Sequence, residues 1–246
     1  MSTKDKVIEI LEKEKGQFVS GESLANICGV SRNAIWKSVA DLKKKGYKIQ
    51  SVNNRGYMLE EASDIISSAG ILLYLDEFLK KNPYQIHVFD ELDSTNNEAK
   101  RSLFFKEANT SHGMVFVAKR QSAGRGHGES DFSSPEGGIY FSVILDPSKI
   151  KSKEPITALV KTSVADVLEK MFEVKLKRKK DSSLYLNEKK ISGILTEGVS
   201  DLETGIYSNY IVGIGIRVEE LQMSSDSPDK NRVIAEILNS LYESIK

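Results

Sequence analysis

The sequence holds one cysteine, Cys28, in 246 residues. No internal disulfide can form within it, and no Cys-based metal cluster. Its 3 histidines, His87, His112 and His127, are too scattered to mark a metal site. No stretch approaches the roughly 20 apolar residues of a membrane helix. The longest candidate, Ala69 to Leu75, is far too short. The N-terminus, Met1 to Val7, lacks the apolar segment of a secretory signal. A cytoplasmic protein with no membrane partner is therefore expected. Neither an internal repeat nor a low-complexity tract is present. An excess of charge is lacking too, with 35 Lys and Arg against 35 Asp and Glu. The hydrophobic fraction is 39% and the charged fraction 28%, the composition of a soluble globular chain rather than a disordered one. The length suits one large domain or two modest ones.

The neutral total hides a split. Residues 1–60 carry 11 Lys and Arg against 7 Asp and Glu, while the remainder carries 24 against 28. A basic segment ahead of an acidic body suggests a nucleic-acid contact. The pattern inside the segment is more specific. Val7, Ile8, Ile10 and Leu11 lie on one face of a short helix that Gly16 ends. A second helix starts at Ser20 or Gly21, turns Leu24, Ala25 and Ile27 inward, and breaks at Gly29. Ser31 can cap a third helix with a buried stripe of Ala34, Ile35, Val39 and Leu42. Two β-forming runs follow, Tyr47 to Val52 and Tyr57 to Leu59, around a turn at Asn53–Gly56. Three short helices and a hairpin make a winged helix-turn-helix over residues 1–62. The third helix of such a module enters the major groove of double-stranded DNA. Ser31, Arg32, Asn33 and Lys37 are placed to reach bases or phosphates, and Arg55 to reach from the wing. A helical packing module with a basic solvent face is the plainer alternative. Trp36, the only tryptophan, is expected in the core.

Residues 63–246 read as an α+β domain with a mostly antiparallel sheet. A helix is expected over 64–80, and a strand over 86–89. Ser94 then caps a helix running to about 107. Strands are expected at 113–118 and 139–145, separated by a long Gly/Ser-rich loop from Gln121 to Gly138. After a helix over 155–172 come strands near 174–178, 184–187, 190–197 and 209–218. A last helix spans about 229–245.

Four stretches then fall in a telling order: Asp93-Ser94-Thr95-Asn96-Asn97 after a strand, Gln121-Ser122-Ala123-Gly124-Arg125-Gly126 opening the long loop, Lys189 to Glu197 on a late strand, and Tyr210 to Ile216 behind it. This order resembles the biotin protein ligases. With the N-terminal winged helix it resembles the bifunctional biotin repressor–ligase type, over nearly the whole chain. The resemblance implies a class II synthetase-like domain that activates biotin with ATP to biotinyl-adenylate, then passes the biotin to a lysine of a carboxyl carrier protein. It also implies a repressor that acts on an operator as a homodimer. A biotin site is implied at Ser94, Thr95, Asn96, Gln121, Gly124, Arg125, Gly126, His127, Lys190 and Gly193. The chemistry fits those residue types. Hydroxyls and an amide suit a neutral ureido ring in a mainly apolar pocket. Gly124, Arg125 and Gly126 make a flexible cationic loop, and Lys190 can neutralise a carboxylate. Taken singly, these residues also read as a helix cap, turn glycines and a solvated lysine pair.

The chain departs from the family's pattern in four places. The family continues its loop as Gly-Arg-Gly-Arg-x-Gly-Arg-x-Trp, where this chain has His127, Ser130 and Phe132 in place of two arginines and the tryptophan. The family's Lys-Trp-Pro-Asn-Asp aligns, without a gap, with Lys179-Lys180-Asp181-Ser182-Ser183. Lys179 survives, the Asn-Asp pair becomes two serines, and Asp181 can serve as the carboxylate only through a shifted alignment. Serine hydroxyls are poor Mg²⁺ ligands. Arg217 stands where the family has asparagine. The family's C-terminal β-barrel would follow the last helix, where this sequence stops. The parts for biotin are kept better than those for ATP and Mg²⁺. The expectation is a repressor that binds biotin or a related effector, with ligase activity weakened or lost and no metal site. An active ligase with Lys190, Lys179 and Asp181 as its catalytic groups is the alternative. A sensor of another small molecule, reshaped by His127 and Arg217, is a third reading.

Overall fold

The computed structural model describes residues 2–81, 85–105, 112–126, 128, 130–179, 182–200, 205–221 and 229–246. It divides into two compact units. One is Met1–Tyr74 with Asp229–Arg232, the other Leu75–Pro228 with Val233–Lys246.

The first unit opens with helices α1 (Thr3–Lys13), α2 (Gly21–Cys28) and α3 (Arg32–Lys44). Serines start all three. Ser2 and Asp5 form a reciprocal capping box, Ser20 accepts from the Ser23 N–H at 3.0 Å, and Ser31 accepts from the Ala34 N–H at 3.2 Å. Gly29 ends α2 with φ 70°, the left-handed backbone that glycine adopts without strain. The wing is β1 (Ile49–Val52) paired antiparallel with β2 (Gly56–Leu59). Leu11, Leu24, Ile35 and Leu59 close the core where the three helices meet the wing. Each such burial is worth about 1.5–3 kcal/mol.

Two inward expectations fail in this unit. Ile27 is 62% exposed and Trp36 59% exposed. A helix advances about 100° per residue. Leu24, Ala25 and Cys28 fix the buried face of α2, and Ile35, Val39 and Leu42 that of α3. Ile27 and Trp36 each stand out of phase with those stripes. Ala34 is only half-buried.

The expected helix over 64–80 is two helices, α4 (Ser68–Tyr74) and α5 (Glu77–Lys81). Ser67 takes up a capping position, its hydroxyl accepting from the Gly70 N–H at 3.0 Å. The Asp76 N–H donates to Asn239 Oδ1 at 3.0 Å, so it is lost to the helical ladder at the break between α4 and α5.

The second unit holds β3 (Ile86–Leu92), α6 (Thr95–Phe105), β4 (Val115–Gln121), β5 (Ile139–Leu145), α7 (Ile156–Phe172), β6 (Lys177–Arg178), β7 (Ser183–Leu186), β8 (Lys189–Ser200), β9 (Tyr207–Ile216) and most of α8 (Lys230–Ile245). The strands form one sheet in the order β3-β4-β5-β9-β8-β7-β6. Only the β3–β4 pair is parallel, so the fold is α+β with a largely antiparallel sheet. Strand β5 is buried along its whole length, as a central strand covered on both faces must be. Helix α6 packs on β4, β5 and β9, and α7 on β7 and β8. The β3–α6–β4 crossover places the carboxyl ends of two parallel strands beside the N-terminus of α6. Open sheets bind ligands at such a point.

Candidate functional site

A cavity opens there. Its polar wall is Ser94, Thr95 and Asn96, which begin α6, and Gln121, which ends β4. The floor comes from β8 and β9: Gly193, Ile194, Leu195, Gly213, Ile214 and Gly215. Arg125, Gly126, Phe132, Ser183 and Lys190 complete the lining. Among the described lining residues, the charged ones are the two cations Arg125 and Lys190, which suits a ligand with an anionic end.

A hydrogen-bond chain holds the polar wall. Ser142 Oγ, fully buried on β5, lies 2.7 Å from Thr95 Oγ1 and 2.6 Å from Asn96 Oδ1. A hydroxyl has one proton to give. Ser142 is the donor in both contacts and shares that proton between the two oxygens. Asn96 Nδ2 then donates to Glu197 Oε2 at 2.8 Å, and Lys100 Nζ to Glu197 Oε1 at 2.7 Å. Burial works to raise the Glu197 carboxyl, but the hydrogen bonds from Lys100 and Asn96 outweigh it and hold it below its ordinary range. The Thr95 hydroxyl accepts from Ser142 and keeps its own proton to give.

Gln121 is fixed at both ends. Its Oε1 accepts from the Thr95 N–H at 2.8 Å, and its Nε2 donates to Ser134 Oγ at 2.7 Å. One lone pair and one N–H remain for a ligand.

The loop after β4 folds back on itself. The Gly126 N–H donates to Ser130 O at 2.7 Å, and the Phe132 N–H to Gly124 O at 2.8 Å. This pairing lays the Phe132 ring across the glycines of the floor, where a Cβ at Gly193 or Gly215 would run into it. Lys190 Nζ and Arg217 Cζ each stand 5.7 Å from the ring centroid, within cation–π range. With the ring in place the cavity holds about 40 Å³. Sites for drug-sized ligands run to roughly 300–1,000 Å³, and the Phe132 ring over Gly193 and Gly215 is one of the groups that narrows this one.

Of the residues expected at a small-molecule site, Ser94, Thr95, Asn96, Gln121, Arg125, Gly126, Lys190 and Gly193 line this one cavity. Gly124 lies outside the lining and supplies the carbonyl that Phe132 binds. Lys179 is also outside it; its ammonium stands 3.8 Å over the Tyr185 ring and 4.0 Å from Glu188. His127 and Asp181 lie outside the described residues. The floor glycines of β9, Phe132 and the Ser142–Glu197 chain were not anticipated as site parts.

In the first unit, Ser31, Arg32, Asn33, Lys37 and Arg55 are all exposed. Arg32 pairs with Glu22 at 2.6 Å, and the Arg55 guanidinium lies 4.2 Å over the Phe18 ring. Both arginines line a groove of about 520 Å³ between α3 and the wing.

Residues 3–58 match a helix-turn-helix domain family, and residues 88–216 match the biotin/lipoate A/B protein ligase family. A DNA-binding-type helix-turn-helix followed by a ligase-type α+β domain is the class that fold and site define. The bifunctional ligase/repressor BirA of Bacillus subtilis is 32% identical over 235 residues, which cover 95% of this chain and 70% of that protein. The Escherichia coli protein of that name is 29% identical, over 94% and 73%. The biotin protein ligase of Aquifex aeolicus, solved with biotin and ATP, has a TM-score of 0.53 at 30% identity, over 65% of this chain and 70% of that one. The enzyme of Leishmania major, solved with biotinyl-5-AMP, has a TM-score of 0.53 at 21% identity, over 65% and 74%, and bears on the fold alone. The chain belongs to the BirA-type bifunctional biotin ligase/repressor family.

Proposed function

We propose that this chain is a DNA-binding repressor that takes biotin, or a close relative of it, as its effector, and in which ligase chemistry is weakened or lost. Residues 1–62 are the DNA-binding domain in this reading, and 63–246 the effector domain. It acts as a homodimer on a two-fold operator. A carrier protein becomes a partner only where ligase activity persists.

The polar wall supports the effector half. Thr95 and Ser94 offer hydroxyls and Gln121 an amide donor to a ureido ring. Lys190, at the cavity's cationic side, meets the carboxylate. Arg125 closes the loop side.

One observation carries the other half. Ser183, at the start of β7, forms part of the cavity wall where the resemblance gives the family an aspartate. Among the described residues no group of three or more acidic, histidine or cysteine side chains is gathered to hold a metal ion. A serine hydroxyl is a poor substitute ligand for Mg²⁺. Ser183 therefore does not supply the carboxylate that Mg²⁺ takes alongside nucleotide phosphates.

The test is restoration. A Ser182→Asn, Ser183→Asp double variant should raise biotin-dependent pyrophosphate release by about a hundredfold over wild type, as regaining a metal-binding carboxylate implies. Rapid release by the wild type, unchanged in the variant, would overturn the weakened-ligase reading.

A further inference from the structure

We propose that Trp36 reads a thymine methyl group in the major groove, as a specificity-determining residue of the helix-turn-helix. This rests on the DNA-binding half of the proposed function.

Trp36 is the only tryptophan of the chain and is 59% exposed on α3. The unit's core does not use it, because Ile35, Val39 and Leu42 supply the buried stripe of that helix. It lines the groove between α3 and the wing, together with Val52, itself 40% exposed. Two large apolar side chains left in one solvent-filled groove mark an interaction surface.

The surrounding charge selects the partner. Arg32 stands one helical turn before Trp36, Lys37 directly after it and Lys43 two turns on, and Arg55 faces the groove from the wing. The one acid of the groove lining, Glu22, is paired to Arg32. A cationic rim around an indole fits a phosphate-lined duplex better than an apolar protein surface. In the major groove the base edges are polar except for the C5-methyl of thymine. An indole carries no cation for phosphate, and its apolar face finds a match in that methyl. The cations supply affinity without sequence, and Trp36 supplies a preference at one position.

The experiment is selection of bound duplexes from a random-sequence pool by the full chain, followed by replacement of each thymine of the selected duplex with deoxyuridine, which lacks only the methyl. One replacement should weaken wild-type binding about fourfold, the effect of losing one buried methyl group. Trp36→Ala should bind more weakly and be indifferent to that replacement, while Trp36→Phe should keep the sensitivity. The exposed position predicts an unchanged melting temperature for both variants, and the single-tryptophan emission should shift when duplex is added. Indifference of the wild type to every methyl would overturn the proposal while leaving DNA binding intact. So would Trp36→Ala with the wild-type methyl sensitivity. Recovery of no duplex at all would overturn the DNA-binding reading itself, and the proposal with it.

Discussion

Asn96 Nδ2 donates to Glu197 Oε2 at 2.8 Å, tying the start of α6 to β8 across 101 residues of sequence. The bond makes Glu197, which is not in the cavity lining, part of the site's scaffold. Glu197→Ala leaves Asn96 and Lys100 without their acceptor. Unsatisfied partly buried donors cost about 1–3 kcal/mol. The denaturation midpoint should fall accordingly, and biotin affinity should fall with it. Glu197→Gln should recover part of both, because its amide oxygen still accepts from one donor. The stabilisation also has a pH signature. A carboxyl held low in the folded state stabilises above its unfolded range and loses that contribution as pH falls through its folded value. The wild type should lose more stability than Glu197→Gln on acidification. Matching pH profiles would exclude the scaffold role.

Lys190 lines the cavity within cation–π distance of Phe132. If it meets the biotin carboxylate, Lys190→Ala should weaken biotin about tenfold to a hundredfold, the span of a charge-assisted hydrogen bond. Biotin methyl ester, which carries no charge there, should bind wild type and variant equally. A parallel loss for acid and ester would place Lys190 elsewhere in the site.

Phe132 fills the space above Gly193 and Gly215. Phe132→Ala should speed biotin association measured by stopped flow, since the ring no longer narrows the cavity. The same change should lower stability by about 3–5 kcal/mol, as removal of a buried aromatic does. Unchanged association would mean that the ring does not bar entry.

Glu12 is 4% exposed on α1. Burial, opposed by Lys15 and reinforced by Asp229 and Asp64, pushes its carboxyl up from the ordinary 4.5 to about 7. The folded state therefore binds more protons than the unfolded one between those values, and stability falls as pH rises through them. Glu12→Gln removes this slope. At pH 8 the variant should exceed the wild type by about 3 kcal/mol, against little difference near pH 4.5. Denaturant titrations at the two pH values decide it, and equal slopes would contradict the assignment.

Local signals made the helix-turn-helix legible. Ser20, Ser31 and Gly29 set the ends of α2 and α3 within a few residues of chain. Apolar character alone does not place Trp36 and Ile27; their helical phase, off the stripes of Leu24, Ala25 and Cys28 and of Ile35, Val39 and Leu42, does. The helix break before α5 could not be read, since the N–H of Asp76 is taken by Asn239, 163 residues away. The polar wall was legible as motifs, because Ser94, Thr95, Asn96 and Gln121 sit at the ends of readable elements. Phe132 was noted as a replaced tryptophan, but its place over Gly193 and Gly215 depends on the pairing of the loop and the register of β8 with β9. Ser142 and Glu197 carry no local mark of a binding role. Only the packing of α6 on the sheet brings them to Asn96.

The measurement that bears most directly on the central claim is calorimetric titration of biotin into the chain, with and without ATP and Mg²⁺, followed by an assay for pyrophosphate. The expected result is biotin binding that ATP and Mg²⁺ leave unchanged, with no biotin-dependent pyrophosphate. Biotin binding that ATP and Mg²⁺ strengthen, accompanied by pyrophosphate release, would contradict it and restore the chain to the working ligases.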